Sequence, residues 1–158
     1  MIIGITGSPG TGKTTVAKEL AKKIKAIHIN EGEFAVNEKI ASFNVEENEL
    51  ELPLGKLREH LNKFIKENKD KNVIIEGHVI CETKINVDKM FVLKVHPEIL
   101  EERLSIKGYN DVKIQDNVFC EGIDYCLKKA KKNYKKVVII KNEGPLNNII
   151  QKIILEME

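Results

Sequence analysis

The sequence of 158 residues has no tryptophan, only two arginines and only three cysteines. The cysteines, at positions 81, 120 and 126, form no paired CxxC motif, which argues against a zinc site or a disulfide scaffold and predicts reduced thiols. No apolar run approaches the length of a membrane span and no signal peptide is recognisable, so we expect a cytoplasmic protein without membrane contact. The scarcity of arginine draws attention to Arg58 and Arg103, because arginine is the usual bidentate ligand of phosphate.

Hydrophobic residues make up 42% of the chain and charged residues 32%, and the formal net charge is +2. These values are typical of a globular domain, and so small a net charge does not by itself indicate nucleic-acid binding. The length fits one domain over residues 1–158 with a proper hydrophobic core.

A glycine-rich segment near the amino terminus carries the strongest functional signal. Residues 7–14 read GSPGTGKT and match the phosphate-loop pattern GxxxxGK(S/T), between an apolar run at 1–6 and a helical pattern at 16–24. In this context the backbone N–H groups and the positive end of the helix dipole bind a polyphosphate. Lys13 is expected to reach the β- and γ-phosphates, and Thr14 to place its hydroxyl on Mg²⁺. The alternative is a glycine-rich turn that only joins a strand to a helix.

Apolar runs alternate with helical periods along the whole chain. Several runs are continuous, as in parallel strands that are covered on both faces. This order predicts a three-layer α/β fold of the P-loop NTPase type, with a five-stranded parallel sheet flanked by helices. The predicted strands are 1–6, 26–29, 72–76, 90–95 and 136–140. One further apolar stripe predicts a helical segment and places Cys126 in the core. Its residues are Phe119, Ile123, Cys126, Leu127 and Ala130.

Two stretches interrupt this alternation. Residues 30–53 are acidic and poor in regular signal, and residues 107–116 form a short polar segment centred on KGYND. Ordered domains rarely keep long irregular loops without a use. We therefore expect 30–53 to bind the phosphoryl acceptor and 107–116 to act as a closing lid. The alternative for the first stretch is a tolerated surface insertion.

The segment Glu76-Gly77-His78 follows the predicted strand 72–76. An acidic residue at this place usually holds the magnesium ion of a phosphate loop, directly or through water, and we expect Glu76 to do so. Gly77 indicates a close approach of the backbone. His78 is suited to orient or deprotonate a water, or to bind a phosphate oxygen. The alternative for His78 is an ordinary loop histidine.

Arg103 and Lys107 lie four residues apart and share a helix face at the start of the predicted lid. Phosphoryl transfer requires cations around the developing charge, and both residues could supply them. Arg103 could equally be a surface partner of Glu98 or Glu102. The remaining histidines form no constellation and are predicted to be structural or solvated: His28, His60 and His96.

These motifs together resemble the atypical adenylate kinases that also act as ATPases in small ribosomal subunit maturation. The diagnostic residues are Ile29-Asn30-x-Gly32-Glu33, Glu76-Gly77-His78, Arg103-Leu104 with Gly108-Tyr109-Asn110, and Asp116-Asn117 with Cys120-Glu121. The resemblance implies a nucleoside monophosphate kinase-like sheet with a short lid. It also implies phosphoryl transfer from Mg-ATP to AMP, additional ATP hydrolysis and transient binding of a small-subunit ribosomal protein, with pre-ribosomal RNA contacted only indirectly.

The resemblance also assigns residues to the site. It places ATP against Gly10, Gly12, Lys13, Thr14, Thr15, Arg103, Lys107 and Asn142, the last in an adenine-contacting turn at 142–144. It places the monophosphate in region 30–53 against Asn30, Gly32, Phe34, Val36 and Lys39. Thr14 and Glu76, the latter through water, would hold the metal, and the catalytic set would be Lys13, His78 and Lys107.

Two positions depart from the pattern of this family. Val36 and Lys107 stand where arginine is often found, and Lys39 or Arg58 could supply the cation that Val36 does not. We therefore expect an adenylate or broader nucleoside monophosphate kinase with ATPase activity. The alternative is an assembly ATPase that acts on a ribosomal protein partner, with kinase turnover incidental. A third interpretation, a kinase of another small metabolite, fits the motifs less well.

Overall fold

The computed structural model describes residues 1–158, with seven strands and seven α-helices. The strands are β1 Ile2–Thr6, β2 Ile27–Asn30, β3 Ser42–Asn44, β4 Glu49–Glu51, β5 Val73–Glu76, β6 Lys89–Lys94 and β7 Val137–Lys141. The helices are α1 Lys13–Ile24, α2 Glu31–Asn37, α3 Leu54–Glu67, α4 Pro97–Ile106, α5 Asp111–Gly122, α6 Tyr125–Asn133 and α7 Leu146–Met157, and a short 3₁₀ helix spans Val79–Glu82. None of these helices has both the length and the apolar character needed to cross a membrane.

Five strands form one parallel sheet in the order β2-β5-β1-β6-β7, which places β1 at the centre. Each lies within one residue of a predicted strand, so the predicted α/β fold class is confirmed. In a parallel sheet all carboxyl ends lie at the same edge, where α/β proteins bind their ligands. The phosphate loop, Asn30, Glu76, Lys94 and the turn at 142–144 therefore meet along one edge.

Side chains of each central strand alternate between two hydrophobic layers. In β1, Ile2 packs in the layer that contains α3 and α6, whereas Ile3 and Ile5 pack in the layer that contains α1 and α7. A buried isoleucine stabilises the fold by about 1.5–3 kcal/mol relative to an exposed one, so both layers hold the sheet firmly. A smaller apolar cluster joins α4 to α5 through Leu100, Leu104 and Ile114.

Residues 30–53 are more regular than the sequence predicts. Asn30 caps α2, because its Oδ1 accepts a hydrogen bond from the Glu33 N–H at 3.0 Å. Phe34 and Ala35 then anchor this short helix in the core. Farther along, β3 and β4 form a separate antiparallel hairpin. The predicted irregular stretch is thus a helix followed by a hairpin.

The predicted apolar stripe of residues 119–130 does not lie on one helix. The chain breaks between α5 and α6 at Asp124, whose φ is 58°. The physical reason is Lys94, whose Nζ lies 2.6 Å from the Glu121 carboxylate and 2.8 Å from that of Asp124. Phe119 is left 65% exposed, whereas Cys126 is buried in the core as expected.

Candidate active site

The phosphate loop connects β1 to the first turn of α1. Lys13, the first residue of this helix, is buried, and its Nζ donates a hydrogen bond to the Ser8 carbonyl oxygen at 2.9 Å. Burial lowers the pKa of Lys13 from its ordinary value, and nearby acidic groups offset this effect only in part. A phosphate bound in the loop would supply the negative partner that this ammonium group lacks.

Gly12 sets the shape of the loop. Its φ of 86° lies in the left-handed region, which favours glycine. A Cβ at this position would also lie 2.5 Å from Nδ2 of Asn142. That Nδ2 donates to the Thr11 carbonyl oxygen at 2.8 Å, and the Asn142 N–H donates to the Lys94 carbonyl oxygen at 2.8 Å. The turn after β7 is therefore fixed directly against the phosphate loop.

Arg103, in α4, connects the same two segments. Its Nη2 donates to the Asn142 carbonyl oxygen at 3.0 Å, and its Nη1 lies 3.5 Å from the carbonyl oxygen of Gly10. It makes no ion pair with Glu98 or Glu102, so the surface-partner interpretation is wrong. Arg103 instead lies where the phosphate loop meets the 142–144 turn.

Lys107 follows α4 and is exposed. Its positive charge helps to lower the pKa of Lys13, which places the two ammonium groups within electrostatic range of each other. Thr15, which the resemblance also assigns to the ATP site, is exposed too, and its hydroxyl makes no hydrogen bond within the protein. Lys107 can therefore add positive charge to the phosphate site from the end of α4.

Glu76, at the end of β5, is 1% exposed and receives several polar contacts. Its Oε1 accepts hydrogen bonds from Thr14 Oγ1 at 2.9 Å and from Asn30 Nδ2 at 2.8 Å, and His28 Nε2 lies 3.4 Å away. Burial alone would raise the pKa of Glu76. The contacts with His28, Asn30 and Thr14, together with the charge of Lys13, outweigh it, so the pKa is lowered. Glu76 is therefore a buried carboxylate, ionised at neutral pH.

The oxygen atoms of Thr14 and Glu76 suit a magnesium ion. Mg²⁺ prefers oxygen ligands and is usually held by one or two carboxylates together with substrate phosphates and waters. Here one ionised carboxylate lies 2.9 Å from a hydroxyl at the mouth of the phosphate loop. No cluster of three or more His, Cys, Asp or Glu side chains that could hold a metal occurs anywhere in the chain. Any ion at this place would therefore depend on phosphate and water for its other ligands.

His78 directly precedes the 3₁₀ helix that follows β5, and its side chain is 57% exposed. Partial desolvation of the ring and the charge of Lys13 lower the pKa of His78 from its ordinary value of 6.5. The imidazole is therefore mostly neutral at pH 7. A neutral ring near the phosphate loop can accept a proton or a hydrogen bond.

A cleft of about 440 Å³ opens beside the start of α2. It is lined by Asn30, Gly32, Glu33, Val36, Asn37 and Leu50. Three of the residues assigned to monophosphate binding thus line one cleft, next to Glu76. Phe34 does not: it is buried and packs edge-to-face on Phe64, with ring centroids 5.9 Å apart. Lys39 and Arg58 are also absent from the lining.

Two residues near Glu76 were not expected from the sequence. His28, assigned to a structural or solvated role, is only 18% exposed and lies beside the Glu76 carboxylate. Glu31 lies under the 76–80 loop and is 4% exposed. Both positions follow from the pairing of β2 with β5, which brings Asn30 opposite Glu76. A polar residue between Ile27 and Ile29 was the available signal for His28. His96 has a structural role, as the sequence predicts: its ring accepts the Glu98 N–H at 3.3 Å and so caps α4.

Comparison with known proteins agrees with this geometry. The model of an AAA domain family matches residues 3–124. A relative from Pyrococcus furiosus, named "Putative adenylate kinase", is 37% identical over 145 residues, which span 91% of this chain and 76% of the relative. The chain belongs to this adenylate kinase-like P-loop family. A relative of the same name from Methanocaldococcus jannaschii is 35% identical over 158 residues, which span 98% of this chain and 84% of the relative.

Solved structures of kinases share the fold. Shikimate kinase from Bacteroides thetaiotaomicron superposes with a TM-score of 0.63 over 99% of this chain and 98% of its own, at 18% identity. The YorR protein of Bacillus subtilis, solved in complex with phosphorylated GDP, superposes with a TM-score of 0.69 over 99% of this chain and 95% of its own, at 20% identity. At such identities the likeness concerns the fold of this P-loop family member and not its substrate.

Proposed function

We propose that the protein is a nucleoside monophosphate kinase that transfers the γ-phosphoryl group of Mg-ATP to AMP and also hydrolyses ATP. The observation that carries this proposal is the position of Asn30. Its side chain lines the cleft beside α2 and also donates to Glu76, which bonds Thr14 of the phosphate loop. An acceptor in the cleft would therefore lie next to the γ-phosphate, as direct transfer requires. The names of the relatives support the same pair of nucleotides.

The proposed reaction depends on positioning and on charge stabilisation, without a covalent protein intermediate. Lys13 and Lys107 neutralise charge on the phosphate oxygens, and the N–H groups of the phosphate loop bind the β-phosphate. Thr14 and Glu76 would hold Mg²⁺, which would supply positive charge beside the phosphates. His78, neutral near pH 7, can accept a proton from a water that attacks the γ-phosphate.

The second candidate is an assembly ATPase whose hydrolysis acts on a ribosomal protein partner. The cleft favours it in one respect, because none of its lining residues is cationic and Glu33 would repel a monophosphate. A role in small ribosomal subunit maturation in the cytoplasm would involve transient binding of a small-subunit ribosomal protein, with pre-ribosomal RNA contacted indirectly. That role is supported by the motif resemblance.

A panel of nucleoside monophosphates, with ATP alone as the control, separates the two candidates when ADP and inorganic phosphate are measured separately. Transfer to AMP converts both nucleotides to ADP without releasing inorganic phosphate, whereas hydrolysis releases one phosphate for each ADP. We expect AMP to give the fastest ADP formation. If no monophosphate lowers the release of inorganic phosphate from ATP, the result would favour the assembly ATPase.

Replacing Lys13 with alanine tests the phosphate site that both candidates share. The loss of one group that stabilises developing charge lowers rates by about 10²–10³, and we expect at least that loss in both activities. Lys18→Ala is the matched control, because Lys18 is an exposed lysine of the same helix. Turnover near the wild-type rate in a folded Lys13→Ala protein would contradict the assignment of the site.

A further inference from the structure

Glu31 carries a carboxylate that the proposed reaction does not use. It is the first residue of α2, and its side chain is only 4% exposed. Its Oε1 accepts main-chain N–H groups from His78 at 2.8 Å and Val79 at 3.0 Å, and its Oε2 accepts that of Ile80 at 3.0 Å. One side chain thus binds three consecutive N–H groups at the start of the 3₁₀ helix that follows Gly77.

Gly77 leaves the space that this carboxylate occupies. A Cβ at position 77 would lie 1.9 Å from the carboxyl carbon of Glu31, which no real contact allows. Gly77 is not among the glycines with positive φ, so its backbone conformation is open to other residues. Glycine is therefore required here for space and not for conformation, and the space is required by Glu31.

The same turn of α2 also contacts the metal-side carboxylate. Asn30, the neighbour of Glu31, donates to Glu76 Oε1 at 2.8 Å. The Nδ1 atom of His78 lies 3.3 Å from Glu31 Oε1, and the Nε2 atom of His78 has no protein partner. Two adjacent residues thus fix both ends of the Glu76-Gly77-His78 segment and set the orientation of the His78 ring.

Other roles explain Glu31 less well. A carboxylate that only complements the helix dipole of α2 could stay in solvent, where it avoids the cost of burial. A proton acceptor in catalysis would need an oxygen free to face substrate, and both oxygens of Glu31 are bound to main-chain N–H groups.

We propose that Glu31 is a positioning residue for phosphoryl transfer: seated in the space left by Gly77, its carboxylate holds the 77–80 main chain and the His78 ring in place beside the phosphate loop. This inference rests on the proposed function, because it treats His78 and Glu76 as parts of the phosphoryl-transfer site. The proposal adds the residue that holds Glu76 and His78 in place, and this residue lies on α2, the helix that lines the proposed acceptor cleft.

A double-mutant cycle of Gly77→Ala and Glu31→Ala tests the proposal in the full chain. We expect each single variant to lower kcat for ATP hydrolysis and for AMP phosphorylation by about tenfold or more, with the KM for ATP changed by less than about threefold, since the phosphate loop itself is intact. The double variant should be no slower than Glu31→Ala alone, because removal of the carboxylate makes room for the alanine methyl group. Independent losses that multiply in the double variant would overturn the proposal.

Three further measurements keep the result interpretable. Glu31→Gln retains one carbonyl acceptor and should keep more activity than Glu31→Ala. Gly55→Ala is the control for adding a methyl group to a glycine, and it should behave as wild type because nothing lies within 4 Å of that group. The main-chain amide NMR signals of residues 78–80, whose N–H groups the Glu31 carboxylate accepts, should shift in Glu31→Ala while those of the phosphate loop stay in place, a pattern that a loss of stability alone would not produce. Unchanged 78–80 amide signals would contradict the proposal. If AMP is not phosphorylated but ATP hydrolysis still shows the non-additive cycle, the kinase assignment fails and the role of Glu31 stands.

Discussion

Replacement of Arg103 with alanine should weaken ATP binding and leave AMP binding nearly unchanged. Of its two contacts, only the one to the Asn142 carbonyl at 3.0 Å is a good hydrogen bond, because the contact to Gly10 at 3.5 Å is at the outer limit. A hydrogen bond from a charged donor contributes about 1.5–3 kcal/mol. Because this bond holds the turn that ATP is proposed to contact, we expect its loss to be felt in ATP binding. Since Arg103 is partly exposed, we take the lower end, about 1.5 kcal/mol, which corresponds to about a tenfold rise in the KM for ATP.

The assay is steady-state ADP formation with ATP and AMP varied in turn. Glu102→Ala is the matched control, because Glu102 is an exposed neighbour on the same helix and makes no hydrogen bond or ion pair. Arg103→Lys should recover part of the loss, because an ammonium group can still donate one hydrogen bond to the Asn142 carbonyl oxygen, although it lacks the fork that also reaches toward Gly10. A KM for ATP within about twofold of wild type, or a response confined to AMP, would refute the bridging role of Arg103 and with it the assignment of the 142–144 turn to ATP.

Three other predictions concern neighbouring parts of the site. Val36→Arg adds a cation to the cleft wall and should lower the KM for AMP without changing that for ATP; a response of ATP alone would show that the cleft is not the acceptor site. His78→Ala should depress ATP hydrolysis more than AMP phosphorylation, because a water needs orientation whereas AMP brings a positioned nucleophile; equal losses would assign His78 to the shared phosphate site. Burial raises the pKa of Glu31 to about 7, so the folded protein binds this proton more tightly than the unfolded chain. Relative to Glu31→Gln, the free energy of unfolding should therefore fall by about 3 kcal/mol as the pH rises from 4.5 to 7, and denaturant curves without this difference would show that the pKa is not raised.

The features that the sequence predicts correctly are local ones. Each central strand is an apolar run, and the phosphate loop is a contiguous motif that fixes its own strand–loop–helix context. The helix α2 had a local signal as well, since Asn30 followed three residues later by Glu33 resembles a capping pattern. The hairpin of β3 and β4 gives little signal because its three-residue strands are mostly exposed.

The features that the sequence does not reveal depend on contacts between distant residues. The break between α5 and α6 depends on Lys94, which is 27 residues away from Glu121 along the chain. The position of His28 beside Glu76 depends on the neighbouring strands β2 and β5. Glu31 reads as an ordinary acidic residue in the first turn of a helix, and only the packing of α2 under the 77–80 loop shows why it is buried. Such contacts between distant residues can be recognised only once the fold is known.

The residues proposed to act on ATP and those proposed to select the acceptor lie on parts of the protein with different burial. Glu76 and Lys13 follow central strands and are almost fully buried, so substitutions around them disturb the core. Val36 and Leu50, which wall the cleft, are 51% and 48% exposed on a short helix and a two-stranded hairpin. We therefore expect substitutions in the cleft, such as those at position 36, to leave the buried phosphate site in place. This separation explains physically how one P-loop site could support ATP hydrolysis while its affinity for a monophosphate varies.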